Sequence, residues 1–167
     1  DGPTFLRGWF VKADKRFGFS YYWMPLPSQV FKLGKVIEKP TIIARTKDWD
    51  LAYRRCAFIL STSYARLDPN YPVLGTFISR LLKEARPFTQ DESVIEDRLY
   101  KLRLDTDVLV DRKHVMECMF SRYMISEAQV IEAERVIKES PFPGVFGTSA
   151  LEAIFYQDYG RPNWPAK

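Results

Sequence analysis

The residues best equipped to act on a ligand are gathered in residues 4–35, TFLRGWFVKADKRFGFSYYWMPLPSQVFKLGK. Arg7, Lys12, Lys32 and Lys35 are interleaved there with Phe, Trp and Tyr, and Gly8 leaves room for another backbone to approach. Cations beside aromatics on a stiff scaffold suit the holding of a phosphate backbone, by charge and close approach rather than by base reading. The same pattern is also ordinary core architecture, in which aromatics pack and lysines face water.

Other candidate chemistry is thinner. Asp105 and Asp107 sit in LRLDTDVLV, at the tip of what reads as a short apolar hairpin, but neither a third carboxylate nor a glycine supports a metal there. An Asp-rich turn is the plainer reading. His114 is the only histidine, so a zinc site or a Ser-His-Asp arrangement would rest on one imidazole, and a structural role is expected. Gly144 and Gly147 lack the preceding strand and the lysine of a phosphate loop. Cys56 and Cys118 lie in apolar helical contexts as small hydrophobes, which fits a reducing compartment. Trp164 and Pro165 would dock on a partner or simply end the chain.

The elements that must position these residues follow from pattern. Thr4–Val11 and Phe17–Trp23 read as two antiparallel strands joined by Ala-Asp-Lys-Arg. Alternation then puts Phe5, Arg7, Trp9 and Val11 on one face and Leu6, Gly8 and Phe10 on the other. Pro25 and Pro27 break the second strand. Ser28 is expected to cap a short turn holding Val30, Phe31 and Leu33, closed by Gly34, with Lys32 and Lys35 facing out.

Residues 36–44 read as a linker, with Pro40 preventing a continuous helix. A helix opens at Thr46, with Asp48 and Asp50 in its first turn and Leu51, Ala52, Arg55, Phe58, Ile59 and Thr62 at helical spacing. Arg54 and Arg55 on its adjacent sides would pair with acids or reach phosphates. Pro72 is placed to start a second helix running to Ala85, whose stripe is Val73, Leu74, Phe77, Ile78, Leu81 and Leu82. Beyond Arg86-Pro-Phe-Thr the chain is acidic, with helices expected over Glu92–Leu102, Asp111–Met124 and Ser126–Lys138, and a last one from Ser149 to about Tyr159. Ser126-Glu-Ala-Gln129 and Ser149-Ala-Leu-Glu152 both match a capping box.

At 167 residues the chain can bury a core, and 46% hydrophobic residues argue against disorder. No apolar run approaches the length that crosses a bilayer, so a soluble chain is expected. The net charge of +4 divides unevenly: residues 1–66 hold 12 Lys and Arg against 5 Asp and Glu, net +7, leaving 13 against 16, net −3. Basic character thus coincides with the aromatic hairpin, the footprint of a polyanion-binding surface. The opening Asp-Gly-Pro-Thr, with neither an initiator Met nor a leader pattern, suggests a fragment of a larger protein.

The order FLRGWFV, short turn, aromatic strand, MPLP and FKLGK resembles the segment that follows the palm motifs of positive-strand viral RNA-dependent RNA polymerases. It looks most like the alphavirus-like and nodavirus-like enzymes, where a Phe-Leu/Cys-x-Gly/Arg-x-Phe hairpin leads to Asp-Pro-Leu and then Lys-Leu-Gly/His. Trp49-Asp50 through Arg54-Arg55-Cys56 resembles the helix that follows, and the likeness spans residues 4–85. Met24 stands where the family usually has an acid before Pro-Leu.

The resemblance implies a primer-grip hairpin, motif E, followed by a thumb. The fold expected is mainly α with a small antiparallel β-hairpin (α+β), a thumb-like helical domain. Residues 1–35 would be the grip, 36–86 the thumb helices and 87–167 an acidic helical extension. Arg7, Gly8 and Lys12 would steady the growing strand, while Lys32, Lys35, Arg54 and Arg55 would track the duplex. The implied activity is that of an RNA-directed RNA polymerase, a nucleotidyltransferase.

The aspartates for that activity are expected upstream, since Gly-Asp-Asp does not occur here. No cofactor is expected on this chain, with Mg or Mn in the palm of the parent enzyme. The implied partners are template–product RNA, the palm and fingers, and other viral replication proteins, in a replication complex of the host cytoplasm. The rival reading is a freestanding RNA-binding or protein-interaction module without activity.

Overall fold

The computed structural model describes residues 4–18, 20–33, 47–62, 64, 67–85, 109–141 and 147–160. It is mostly helical, with a three-stranded antiparallel sheet at one end of the chain, in the order β1 (Thr4–Phe5), β2 (Gly8–Lys12), β3 (Tyr21–Pro25). Thr4 pairs with Trp9 and Phe5 with Gly8, so Leu6 and Arg7 form a two-residue loop. Both have positive φ, 53° and 59°, as a type I′ hairpin turn requires. The single strand expected over Thr4–Val11 is therefore two strands. The pattern was misleading because Leu and Arg occupy a turn that Asn and Gly usually fill.

The second connection follows its sequence more closely. The Asp14 carboxylate accepts from the Arg16 N–H and caps a single 3-10 turn, Lys15–Phe17, which Gly18 closes at φ 74°. That turn consumes the residues expected to begin the next strand, so β3 starts at Tyr21 and runs into Pro25. Register across β2 and β3 pairs Gly8 with Pro25, Trp9 with Met24, Phe10 with Trp23, Val11 with Tyr22 and Lys12 with Tyr21. Pro27–Gln29 then forms a 3-10 turn leading directly into α1 (Val30–Leu33). Ser28 lies inside that turn and is buried; it does not cap it.

Helix α2 (Trp49–Thr62) begins where the Asp48 carboxylate accepts from the Leu51 N–H, and Ala52 and Phe58 are buried on its stripe. Helix α3 is Leu74–Ala85, two residues later than Pro72 would start it. Pro72 and Val73 form a turn in front of the helix, Val73 standing at φ 67°, uncommon for a β-branched residue. The stripe Val73, Leu74, Phe77, Ile78 and Leu81 is buried as expected, and Leu82 partly so.

Three further helices follow. Asp111 caps α4 (Arg112–Tyr123) by accepting from the His114 N–H, and Met124 closes it in the left-handed conformation. Helix α5 (Glu127–Glu139) has the full capping box, Ser126 with Gln129, that its sequence announced. Helix α6 (Ser149–Tyr159) is capped by Thr148, whose hydroxyl accepts from Leu151 N–H, one residue before the Ser149 cap expected. The expected 92–102 helix, the 36–44 linker, Lys35, and Asp105 with Asp107 lie outside the described residues.

One cluster of buried side chains joins all three stretches. Trp9, Val11 and Met24 come from the inner face of the sheet, Tyr71, Leu74 and Phe77 from α3 and its approach, and Val115, Met119, Ile137 and Ile154 from α4 to α6. Helix α4 lies along β2, and α3, α5 and α6 pack in succession behind it. The sheet is fastened by backbone as well. Ala13 bridges to Val110, Asp14 N–H donates to Leu109 O at 2.8 Å, and Asp111 N–H donates to Lys12 O at 2.9 Å.

Candidate nucleic-acid interface

The two faces of the sheet differ sharply. Cross-strand partners share a face, so Trp9, Val11, Tyr22 and Met24 point one way and Phe10, Lys12, Tyr21 and Trp23 the other. The first set meets the core, with Trp9 6% and Val11 0% exposed. The second contains Phe10 at 51% and Tyr21 at 59%. Leaving such rings in water forgoes about 1.5–3 kcal/mol each of burial. The expected grouping of Arg7 with Trp9 and Val11 is thus corrected: those two are core, and Arg7 sits in the turn.

The inner face is held rigidly. Trp9 Nε1–H donates to the Tyr71 hydroxyl at 2.8 Å, and that hydroxyl donates to Pro25 O at 2.5 Å. Burial pushes the Tyr71 phenol well above its ordinary range, so it stays a donor. Trp9 also lies 6.1 Å from the Tyr123 ring, and Tyr123 donates to Asp158, which accepts from Arg122 as well. The sheet therefore stands on a floor of satisfied polar groups.

Gly8 is buried, and its role differs from the open approach expected. A Cβ there would lie 2.1 Å from Trp23 Cε2, because the indole leans diagonally across the strand into that space. Gly8 positions Trp23. The side chain that fills the space is an aromatic of the outer face.

The cations occupy the rim. Arg7 is exposed in the β1–β2 turn, and its carbonyl accepts from Leu26 N–H at 3.0 Å, drawing the tip against the segment entering α1. Lys32 on α1 is exposed. Lys12 is partly buried in β2, and its N–H donates to His114 Nδ1 at 3.1 Å. His114 has the structural role expected of it: it accepts from β2 and meets Tyr21 edge-on at 5.7 Å. Cys118, one turn on, has its thiol pushed up by burial, which disfavours the thiolate.

At the other turn, Arg16 pairs with Asp14 at 3.0 Å and Lys15 is exposed. The Arg16 backbone and side-chain hydrogen bonds hold the Asp14 carboxyl below its usual range. Arg54 and Arg55 lie on α2, away from the strands in sequence; Arg54 pairs with Asp50 at 3.1 Å, and Trp49 stacks obliquely on Tyr53 one turn apart. Helix α2 packs mainly on α3 and also touches α1.

Phe10, Tyr21 and Trp23 were not singled out from sequence as site residues. Lys15 and Arg16, read there as turn chemistry, also lie on the rim. The alternation expected over Gly8–Val11 stands, with Phe10 on the face opposite Trp9 and Val11; the turn at Leu6–Arg7 displaces the residues before it. Among the described residues no group of three or more His, Cys, Asp or Glu is placed to hold a metal, and no helix is long and apolar enough to cross a membrane.

No family model, curated protein or solved structure matches the chain. The surface is therefore interpreted from its own chemistry. An exposed aromatic face, cations at both of its turns and on the neighbouring helix, and a rigid buried floor can bind a flexible polyanion without reshaping.

Proposed function

We propose that this chain is the thumb-side part of an RNA-directed RNA polymerase of a positive-strand RNA virus, gripping the primer or product strand during genome replication. It positions RNA and does not itself transfer nucleotides. Arg7 and Lys12 bear on the strand's end, with Gly8 setting Trp23 behind them. Lys32, Lys35, Arg54 and Arg55 bear on the backbone of the duplex. Metal ions for phosphoryl transfer would be held by the palm, on other parts of the parent enzyme.

One observation carries this reading. A two-residue turn holds Leu6 and Arg7 at positive φ, exposes Leu6 by 76%, and presents Arg7 from the end of a sheet whose other side is locked to the core. Left-handed backbone costs an ordinary side chain about 1–2 kcal/mol. Keeping Leu and Arg where Asn-Gly would be relaxed makes sense when the tip touches something.

The test is elongation and RNA binding by the parent polymerase carrying Lys32→Glu, Lys35→Glu and Arg54→Glu. Loss of elongation, with RNA affinity reduced most at low salt, is the expected result. Unchanged elongation at every salt concentration would overturn the reading. An Arg7→Ser variant adds the strand end: it should raise the fraction of products released early without altering the fold.

A further inference from the structure

We infer that the outer face of the sheet is a stacking platform for unpaired nucleobases, so that the nucleic acid it holds is single-stranded. This rests on the reading of the chain as an RNA-gripping segment and adds a contact with unpaired RNA beside the duplex contact given to Lys32, Lys35, Arg54 and Arg55. The face presents three aromatic rings: Phe10 on β2, with Trp23 directly opposite it on β3, and Tyr21 two residues before Trp23. Phe10 and Tyr21 are more than half exposed, whereas Trp9 and Met24 on the opposite side are at 6% and 4%.

Three details favour bases over a duplex or a protein. Trp23 is wedged over Gly8, where a Cβ would stand 2.1 Å from the indole, so its plane is fixed before any ligand arrives. Tyr21 meets His114 in a T-shaped contact at 5.7 Å, which fixes its ring, and remains 59% exposed. Aromatic rings held at set angles accept any base by its π-face. Lys12 lies on the same face, Arg7 and the Lys15–Arg16 pair are at its two turns, and residues 4–25, which build the sheet, hold four basic residues against one acidic, Asp14. That charge complements a phosphate backbone. A paired duplex keeps its bases stacked inside and would meet only the rim.

The deciding measurement is equilibrium binding of the full chain to three probes: a labelled 12-nucleotide single-stranded RNA, the same sequence as a paired duplex, and inorganic polyphosphate of matched charge. Single strand should bind about tenfold or more tighter than duplex at moderate salt and quench Trp23 fluorescence, identified by its loss in Trp23→Phe. Phe10→Ala should weaken single-strand binding by about tenfold while leaving polyphosphate binding and the salt slope as they were. Phe10→Leu, which keeps apolar bulk without a π-face, should behave like Phe10→Ala and guards against misfolding.

If single strand, duplex and polyphosphate bind alike, and both Phe10 variants match the parent, stacking is wrong while the cationic grip stands. If none of the three probes binds, stacking and grip fall together. If only a protein from the replication complex competes for Phe10, the face is a protein contact and the inference is overturned.

Discussion

The sheet and the C-terminal helices use charge in opposite ways. In the helices several arginines in ion pairs also tie one element to another. Arg112 donates to Glu134 at 2.6 Å and to Asn70 O at 2.8 Å, and Glu134 accepts from Thr76 and from the N–H of strained Val73. Arg122 and Tyr123 converge on Asp158, and Arg80 donates to three carbonyls at the end of α5, those of Ile137, Lys138 and Ser140. Around the sheet, Arg7, Lys15 and Lys32 are exposed, and no described residue forms an ion pair with them. Charge that closes on itself stabilises, and charge directed outward is available to a ligand.

The contrast is most severely tested at Glu134. It is buried, and removing it strands a guanidinium, a hydroxyl and a backbone N–H together. Glu134→Ala should cost about 3–5 kcal/mol in urea unfolding, as expected when one partner of a buried pair is deleted. RNA affinity of the fraction that remains folded should be unchanged. A small stability loss with a large affinity loss would erase the division between the two regions.

Gly8→Ala comes next and acts within the sheet. The new methyl would overlap the indole of Trp23, which must swing away, at a cost of about 1–3 kcal/mol. Near-ultraviolet dichroism of Trp23 should change. Since the strand itself tolerates alanine, an unchanged tryptophan signal would show that Trp23 is not wedged there.

A titration separates the floor of the sheet from its surface. Tyr123 is pushed up first by burial and then by its hydrogen bond to Asp158, and Tyr71 is pushed up by burial. A phenol whose folded value is raised contributes stability below the unfolded value, near 10, and loses it as pH rises above that. Each should lower stability by about 1.4 kcal/mol per pH unit once the unfolded phenols ionise, and Tyr123→Phe should remove one such contribution from the slope. Unfolding midpoints between pH 9 and 11.5 would show it. An unaltered slope would mean that Tyr123 ionises as freely when folded as when unfolded.

Much of the fold could be read from sequence where one local rule acted without competition. The Ser126 box and the α3 stripe each rested on residues whose partners are three or four positions away. The tip of the site was harder, because it is a turn built from residues that seldom fill one. Nothing in Phe-Leu-Arg-Gly announces positive φ at Leu and Arg, and once that turn is missed, alternation assigns Arg7 to the face of Trp9. Pairs such as Trp9 with Tyr71, or Arg112 with Glu134, join residues too far apart in the chain for any local pattern to show.

The smallest predicted effect on stability is also the one that most directly opposes fold and grip. Leu6→Asn with Arg7→Gly installs the pair that a two-residue turn of positive φ favours. Relief of left-handed strain at two positions, offset by the extra backbone freedom glycine brings to the unfolded chain, should raise stability by about 1 kcal/mol. The same change deletes the exposed tip, Leu6 and the Arg7 guanidinium. If the two side chains serve the fold, the double variant should be less stable. If they serve RNA, the variant should melt higher and bind single-stranded RNA more weakly, with a shallower salt dependence by about one phosphate contact. A variant that is both more stable and equally tight would leave Leu6 and Arg7 as strain without a purpose, and with them would go the observation on which the proposed grip rests.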